Sequence, residues 1–361
     1  MDRLIVCLIL RLLPGIGPIT AQKLVHAYGS PEAIFDPQAK PIEAPSPHLI
    51  AILKQVGRIH KRAKQIKKEI ADAAINCLVW GTPSYPIALA SCPDAPLILF
   101  YKGNFKWENR KWIAIVGTRN PTRYGRDNCE ALINALTPYN PVIVSGMAYG
   151  IDILAHKTAM ESGLDTVACL PHALEMRLYP AAHENTANKM LQHGALVSDF
   201  LAEQGFEKGN FVQRNRLIAG LSQATIVIES GRKGGSLITA QFAQQYDRDV
   251  FAIPGSIQSE KSQGCHTLIQ QNRAILLDST EILLASLGWA KKGQVKQRQL
   301  PLELPANEQQ VYELLLQQGR TSLDTLTQKL NWRIAETAVV LMQLEMKKLV
   351  RPLPAKYFEA V

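Results

Sequence analysis

Glycine, threonine and arginine follow one another directly after an apolar run in IVGTRNPTRYG, residues 115–125. A strand that feeds a helix through such a turn is where α/β proteins hold phosphates, because the first N–H groups of the helix face the anion. The dinucleotide fingerprint requires three glycines there, whereas Gly117 stands alone before Thr118 and Arg119. The turn therefore predicts a phosphate site that is not a dinucleotide site.

Three further turns place similar groups after apolar runs, in SGMAYGIDILAH (145–156), FEKGNFVQRNRLIAGLS (206–222) and GRKGGSLITA (231–240). Three of the four turns carry glycine before a helical stretch, which favours anions. Cations and an aromatic ring suit single-stranded nucleic acid, because charge holds the backbone while the ring stacks a base. The predicted contacts are Gly117, Thr118, Arg119, Ser145, Gly146, Lys208, Phe211, Arg214, Asn215, Arg216, Lys233, Gly234, Gly235 and Ser236.

Each of these groups also has a purely structural interpretation. The glycine pair in GRKGGS would allow close helix–sheet packing, and Phe211 would be a core residue. The arginines of RNR would pair with Asp199 or Glu229. Only their joint placement at one sheet edge favours a polyanion site, since ligands of open α/β sheets bind beyond the carboxyl ends of the strands.

An enzyme is the main alternative to a binding protein. Ser145, Asp152 and His156 have the residue types of a nucleophilic triad, but Ser145 is not in the G-x-S-x-G elbow. No P-loop is present, and His172 and His183 lack a recognised metal-ligand spacing. We therefore expect no catalytic residue, no metal and no cofactor.

The patterns that surround these turns predict three domains. Residues 1–75 are expected to form a helical domain of the helix-hairpin-helix or SAM-like kind. The hairpin, in LRLLPGIGPITAQKLVHAYGS (10–30), would either hold a DNA phosphate or only pack helices. The basic run at 54–68 is either a solvated helix face or a supporting phosphate contact.

Residues 76–288 alternate short apolar strands with helical stretches, the pattern of a Rossmann-like, doubly wound, mainly parallel α/β sheet. The predicted strands are 97–101, 112–117, 141–146, 166–171, 195–199, 224–230, 249–255 and 274–278. Residues 289–305 are polar and proline-bounded and predict a linker. Residues 306–361 have the pattern of a winged helix, whose mostly apolar third helix favours protein contact over DNA reading.

The net charge indicates which class of partner the protein binds, and the cysteine content indicates the redox state of its compartment. The net charge is +9, and the segment from residue 303 onward is neutral, so the excess lies in residues 1–302 and favours a polyanion there. Six scattered cysteines without a C-x-x-C pair indicate free thiols in a reducing, cytoplasmic setting. No stretch is long enough to cross a membrane.

Five ordered motifs together resemble the bacterial DNA-processing protein A family, also called DprA or Smf, over roughly residues 80–280. They are IVGTRNPTRYG, SGMAYGIDILAH, NFVQRNRLIAGLS, ESGRKGGSLITAQFA and VFAIPGSIQSEKSQGCHTLI. The resemblance implies a non-enzymatic protein that binds and protects incoming single-stranded DNA. It further implies loading of the RecA recombinase in natural transformation, and a homodimer formed through the Rossmann-like domain. Arg119 matches the pocket arginine of the family, and Lys208 and Phe211 its basic and aromatic residues.

The family usually has a glycine-rich G-x-G-[LI]-D before a Tyr-Pro pair. The sequence departs from that pattern in LPHALEMRLYP (170–180), where Pro171, Ala173 and Glu175 stand before Tyr179-Pro180. The second candidate function is a Rossmann-type hydrolase similar to the nucleoside-monophosphate phosphoribohydrolases. Those enzymes need a glutamate after a glycine-rich turn, and Ala240 and Gln241 occupy that place here.

Overall fold

The computed structural model describes residues 1–36, 38–42, 45–53, 56–289, 304–347, 349–353 and 356–360. The chain divides into two compact units, Met1–Ala290 and Lys291–Val361. The predicted linker at 289–305 lies outside the described residues except at its ends. No helix in the described ranges combines the length and apolarity needed to cross a membrane.

The first unit begins with a bundle of helices. They are α1 (Arg3–Leu12), α2 (Pro18–Tyr28), α3 (Pro47–Leu53) and α4 (Val56–Asp72). Gly15, at φ +78°, allows the tight turn between α1 and α2, and Gly17 precedes α2. On α4, Arg62 pairs with Glu69 and Glu203, and Lys67 pairs with Asp2. Part of the basic run is thus neutralised, and its Lys54 lies outside the described residues.

A nine-stranded sheet forms the centre of the first unit. Its strands are β1 (Asn76–Val79), β2 (Ile98–Lys102), β3 (Trp112–Val116), β4 (Val142–Ser145), β5 (Thr166–Cys169), β6 (Gly194–Ser198), β7 (Ala224–Val227), β8 (Asp249–Ala252) and β9 (Ile275–Leu276). They lie in the order β1-β2-β6-β5-β4-β3-β7-β8-β9. In this order, every neighbouring pair from β6 through β5, β4, β3, β7 and β8 to β9 is parallel. The pairs β1 with β2 and β2 with β6 are antiparallel.

Helices connect most of these strands and cover the sheet. They are α5 (Ile87–Ala90), α6 (Arg123–Leu136), α7 (Ile151–Glu161), α8 (Glu184–Met190), α9 (Lys208–Leu221), α10 (Gly235–Gln245), α11 (Gln263–Gln270) and α12 (Thr280–Ser286). Every residue of β3 is buried, as expected for a parallel strand covered on both faces. The Rossmann-like fold is confirmed, and all eight predicted strands are present; all except β2, which ends one residue later, end earlier than predicted. The sequence pattern missed β1, which is four residues long with one buried side chain.

The second unit is a winged helix, as predicted. It contains α13 (Ala306–Gln318), β10 (Thr321–Ser322), α14 (Leu323–Leu330), α15 (Ile334–Met346), β11 (Val350–Leu353) and β12 (Tyr357–Ala360). The three strands lie in the order β10-β12-β11 around a small apolar core. Its third helix exposes the apolar side chains of Val339, Met342 and Met346.

Candidate nucleic-acid interface

The order of the strands creates a crevice between β3 and β7. From β3 the chain continues on one side to β4, and β7 pairs with the other side of β3. Such a switch point leaves a gap beyond the carboxyl ends of the strands, where open α/β sheets bind ligands. The turns at 117–119 and 230–235 follow these two strands, so the sheet brings two of the predicted phosphate turns together.

A cavity of about 320 Å³ fills this crevice. Its size falls at the lower end of the range for small-molecule and cofactor sites. The predicted residues that line it are Gly117, Thr118, Arg119, Phe211, Arg214, Asn215, Gly234, Gly235 and Ser236. Lys208 and Lys233 are exposed in segments adjoining the lining residues and do not line the cavity themselves.

Glu229 holds the turn that carries Arg119. Its buried carboxylate accepts hydrogen bonds from the Thr122 N–H at 2.9 Å and the Thr122 hydroxyl at 2.6 Å. The Thr118 N–H donates to the Glu229 carbonyl oxygen at 2.8 Å. A Cβ on Gly125 would lie 2.3 Å from the carboxylate, so the first turn of α6 approaches it closely. Sequence reasoning considered Glu229 only as an arginine partner.

The loop after β4 packs against the turn at 117–119 from the other side. Gly150 has a φ of +80°, and a Cβ there would lie 2.3 Å from the Thr118 carbonyl oxygen. The Ile151 N–H donates to that same oxygen at 3.2 Å. Two loops and a buried carboxylate therefore fix the backbone, while the Arg119 guanidinium stays exposed, 5.5 Å from the centroid of the Phe211 ring.

Arg214 and Asp152 form the charged floor of the cavity. Both are buried and both line it, and they flank Gly146, where a Cβ would lie 2.3 Å from Asp152 Oδ2 and 2.5 Å from Arg214 Nη1. Arg214 also donates to the Cys169 carbonyl oxygen. Burial raises the pKa of Asp152 and lowers the pKa of Arg214, although each opposes the shift of the other. An anion in the cavity would meet a cation that is little hydrated.

The N-terminus of α10 supplies backbone donors. Gly234 is its N-cap and has no side chain to accept the first N–H groups. Free N–H groups at a helix start favour anions. The Ser236 hydroxyl donates to the Ser230 hydroxyl oxygen at 2.9 Å, so these lining residues are ordered against each other.

Two of the predicted contacts, Ser145 and Arg216, are buried and do not line the cavity. Ser145 is completely buried, and its hydroxyl donates to the Ile115 carbonyl oxygen at 2.6 Å. Arg216 is buried and pairs with Asp199, the structural alternative that the sequence left open. Gly146 is buried too, and its lack of a side chain leaves room for Asp152 and Arg214 beside it.

The residues of the possible triad do not form one. Both ring nitrogens of His156 are engaged, with Thr166 Oγ1 and with the Gly146 carbonyl oxygen, each at 2.6 Å. Burial lowers the pKa of His156 to about 4, so the ring is neutral at pH 7. Within the described ranges, no group of three or more metal-ligating side chains comes together.

Two aromatic residues that sequence reasoning did not select extend the site. The Phe211 ring contacts Phe206 at 5.5 Å and Tyr179 at 5.8 Å between centroids. Tyr179 lies in the segment 170–180, shortly after the positions that depart from the family pattern (Pro171, Ala173 and Glu175). A tyrosine next to proline, shortly after the altered stretch, was the available signal in the sequence.

Comparison with known proteins identifies relatives for both units. The family model described as DNA recombination-mediator protein A matches residues 76–288, and that described as DprA winged helix domain matches residues 295–356. The chain is 31% identical over 284 residues to DNA processing protein DprA of Bacillus subtilis, which covers 78% of this chain and 95% of that protein.

Two solved structures resemble the fold. The X-ray structure of DNA processing protein A from Streptococcus pneumoniae matches with a TM-score of 0.63 and 32% identity, over 77% of this chain and 95% of that one. DNA processing protein A from Helicobacter pylori matches with a TM-score of 0.53 and 28% identity, over 59% of this chain and 95% of that one. The latter structure concerns a single-stranded DNA binding mode.

Proposed function

The chain belongs to the DNA recombination-mediator protein A family, and we propose on that premise that it binds single-stranded DNA at the cavity between β3 and β7. A role in DNA processing follows from the family. The finer proposal is that it protects incoming single strands and helps to load RecA during natural transformation, as a homodimer formed through the Rossmann-like domain and without catalysing a reaction. The Helicobacter pylori relative, described as binding single-stranded DNA, supports the choice of ligand.

The observation that carries the proposal is the exposed Arg119 guanidinium lying against Phe211 at a cavity with free backbone donors. The guanidinium and the start of α10 attract a phosphate, and the ring offers a face to a base. In a duplex the bases are stacked on each other, so the ring can reach a base only in a single strand. This combination favours single-stranded over double-stranded DNA.

The proposal is tested by fluorescence anisotropy of labelled single-stranded and duplex oligonucleotides over a salt series. We expect single-strand preference and a roughly 10- to 100-fold weaker affinity in Arg119→Ala, the range for losing a charged hydrogen bond. The slope of log affinity against log salt should fall by about 0.7 for one lost phosphate contact. Arg123→Ala is the matched control, because Arg123 is a 91% exposed arginine on α6 that does not line the cavity.

Equal affinities in Arg119→Ala and Arg123→Ala would contradict the proposed site. Absence of binding to either form of DNA would contradict the proposed function and leave the nucleotide hydrolase and a pure interaction scaffold as alternatives. The direct test of that enzyme is release of free base from nucleoside monophosphates. No acid occurs in α10, where the phosphoribohydrolase glutamate would be expected, so we expect no release.

RecA loading and dimerisation need their own measurements. We expect the protein to accelerate RecA filament assembly on single strands, and Arg119→Ala to lose that effect in parallel with affinity. Light scattering should give twice the monomer mass of 40.0 kDa. Acceleration that persists in a variant unable to bind DNA would separate the RecA contact from the cavity.

A further inference from the structure

Three exposed aromatic rings continue the proposed interface beyond the cavity. Tyr149, Tyr179 and Phe206 are 50%, 45% and 38% exposed, and with Phe211 we call them the aromatic platform. Elsewhere in the same unit, the aromatic cluster of Phe105, Trp107 and Trp112 is buried. Adjacent exposed rings of this size usually mark a binding surface.

Tyr179, Phe206 and Phe211 are tilted or perpendicular to one another rather than stacked in parallel. Tyr179 and Phe206 lie 5.1 Å apart between centroids with 50° between their planes, and Tyr179 meets Phe211 at 74°. Parallel stacking, as between Trp107 and Trp112 at 20°, would cover one face of each ring. A nucleobase stacks on the face of an aromatic ring, and Tyr179 and Phe206 are exposed enough for a base to reach them.

A groove joins the platform to the cavity. Arg119, Arg214 and Phe211 line both the cavity and the neighbouring pocket, which also contains Tyr149 and Tyr179. Beyond these two tyrosines the groove continues past Phe206 and the exposed Arg177. Exposed cations therefore adjoin the rings at both ends of the groove, which suits a strand whose phosphates are charged and whose bases are apolar.

The loop that carries Tyr179 is held in place by His172. The Tyr179 N–H donates to His172 Nε2 at 3.2 Å, which leaves the proton on Nδ1 to be donated to the Ala173 carbonyl oxygen. The Ser198 hydroxyl donates to the His172 carbonyl oxygen at 2.7 Å and anchors the loop to the end of β6. Since the loop is already ordered, binding would cost less conformational entropy.

We propose that Tyr179 and Phe206 form a second base-stacking subsite, which binds the base adjacent to the nucleotide held by Arg119. The inference rests on the proposed function and extends it, since it assigns a nucleobase contact to the segment 170–180. In this assignment the cavity holds mainly a phosphate and the platform holds a base. The two subsites therefore respond differently when the bases of the ligand are removed.

The test compares an oligothymidylate with an abasic oligomer of the same length, using the full chain. Tyr179→Ala should weaken oligothymidylate binding about 5- to 100-fold, the range for one lost stacking contact. Its affinity for the abasic oligomer should stay within twofold, and Tyr179→Phe should restore oligothymidylate binding. Tyr124→Ala is the matched control, because Tyr124 is 48% exposed and lies outside the groove.

Phe206→Leu provides a second variant that keeps an apolar side chain and removes the ring. Equal losses for oligothymidylate and abasic oligomer in both variants would overturn the subsite, because the rings would then only shape the groove. Unchanged oligothymidylate affinity in both variants, with a loss in Arg119→Ala, would overturn the subsite and leave the proposed function intact. No binding of oligothymidylate by the wild type would overturn both.

Discussion

Replacing Arg216 by methionine removes the cation of a buried ion pair, and we expect the free energy of unfolding to fall by about 3 kcal/mol. Arg216 donates to Asp199 and to the Asp94 carbonyl oxygen. The Asp199 side chain is only 4% exposed, and its Oδ1 has no hydrogen-bond partner among the described residues. Without Arg216, the carboxylate would remain buried with little compensation.

The neighbouring cation sets the size of the effect. Loss of one member of a buried pair costs about 3–5 kcal/mol. Arg11 already donates to the Asp199 carbonyl oxygen at 3.3 Å and would partly offset the loss, so we expect the lower value. For a unit of this size, that corresponds to a drop of roughly 5–10 °C in the unfolding midpoint. Single-strand affinity should stay within twofold, because Arg216 does not line the cavity.

Calorimetry and fluorescence anisotropy on the same samples separate the two roles of the arginines. Arg216→Met should lose stability and keep affinity, whereas Arg119→Ala should lose affinity and keep stability. Adding Asp199→Leu to Arg216→Met should recover most of the midpoint, because no unpaired charge is then buried. A tenfold loss of affinity in Arg216→Met at an unchanged midpoint would refute this reasoning and return Arg216 to the DNA contacts.

Three other predictions concern the cavity and its surroundings. The free energy of unfolding should fall as the pH drops from 6.5 to about 4. Burial lowers the pKa of His156 to about 4, so the unfolded chain takes up this proton at a higher pH than the folded protein does. In denaturant titrations, His156→Gln should remove about 3 kcal/mol of this pH dependence. Gly146→Ala should cost about 1–3 kcal/mol, since its Cβ would lie 2.3 Å from Asp152 Oδ2, and an unchanged midpoint would contradict the packing described. Lys233→Glu should weaken single-strand affinity about fivefold at low salt, whereas Arg333→Glu in the neutral segment from residue 303 onward should change it less than twofold; equal effects would argue against the location of the excess charge.

The fold was predictable wherever the pattern is local. Strands such as 112–117 are near-continuous apolar runs, and glycine-containing turns mark their ends, so the sheet and its ligand-binding edge followed from short segments. Edge strands carry a weaker signal, because β1 buries only one of its four side chains. The antiparallel direction of β2 depends on its pairing with β6, which is almost 100 residues away and leaves no local pattern.

The turns of the candidate site were predictable from the sequence, whereas the residues that hold those turns in place were not. Thr122 and Glu229 meet across 107 residues, so the role of Glu229 arises only when β3 and β7 pair. Arg216 belongs to the same RNR motif as Arg214, yet it points to Asp199 while Arg214 lines the cavity. Residue type and spacing place both arginines on α9, and only the packing around that helix decides which one meets solvent or ligand.

The burial of α1 has a consequence for how the first unit unfolds. Residues 5–10 are all buried, and they share one apolar core with Phe100 of β2 and Leu196 of β6. Cutting the chain near residue 75 would expose both sides of that core to solvent. The helical segment before residue 75 and the sheet should therefore unfold together, as one cooperative unit. Amide protons of α1 should therefore exchange with solvent only when the sheet opens, at the same rate as those of β2 and β6.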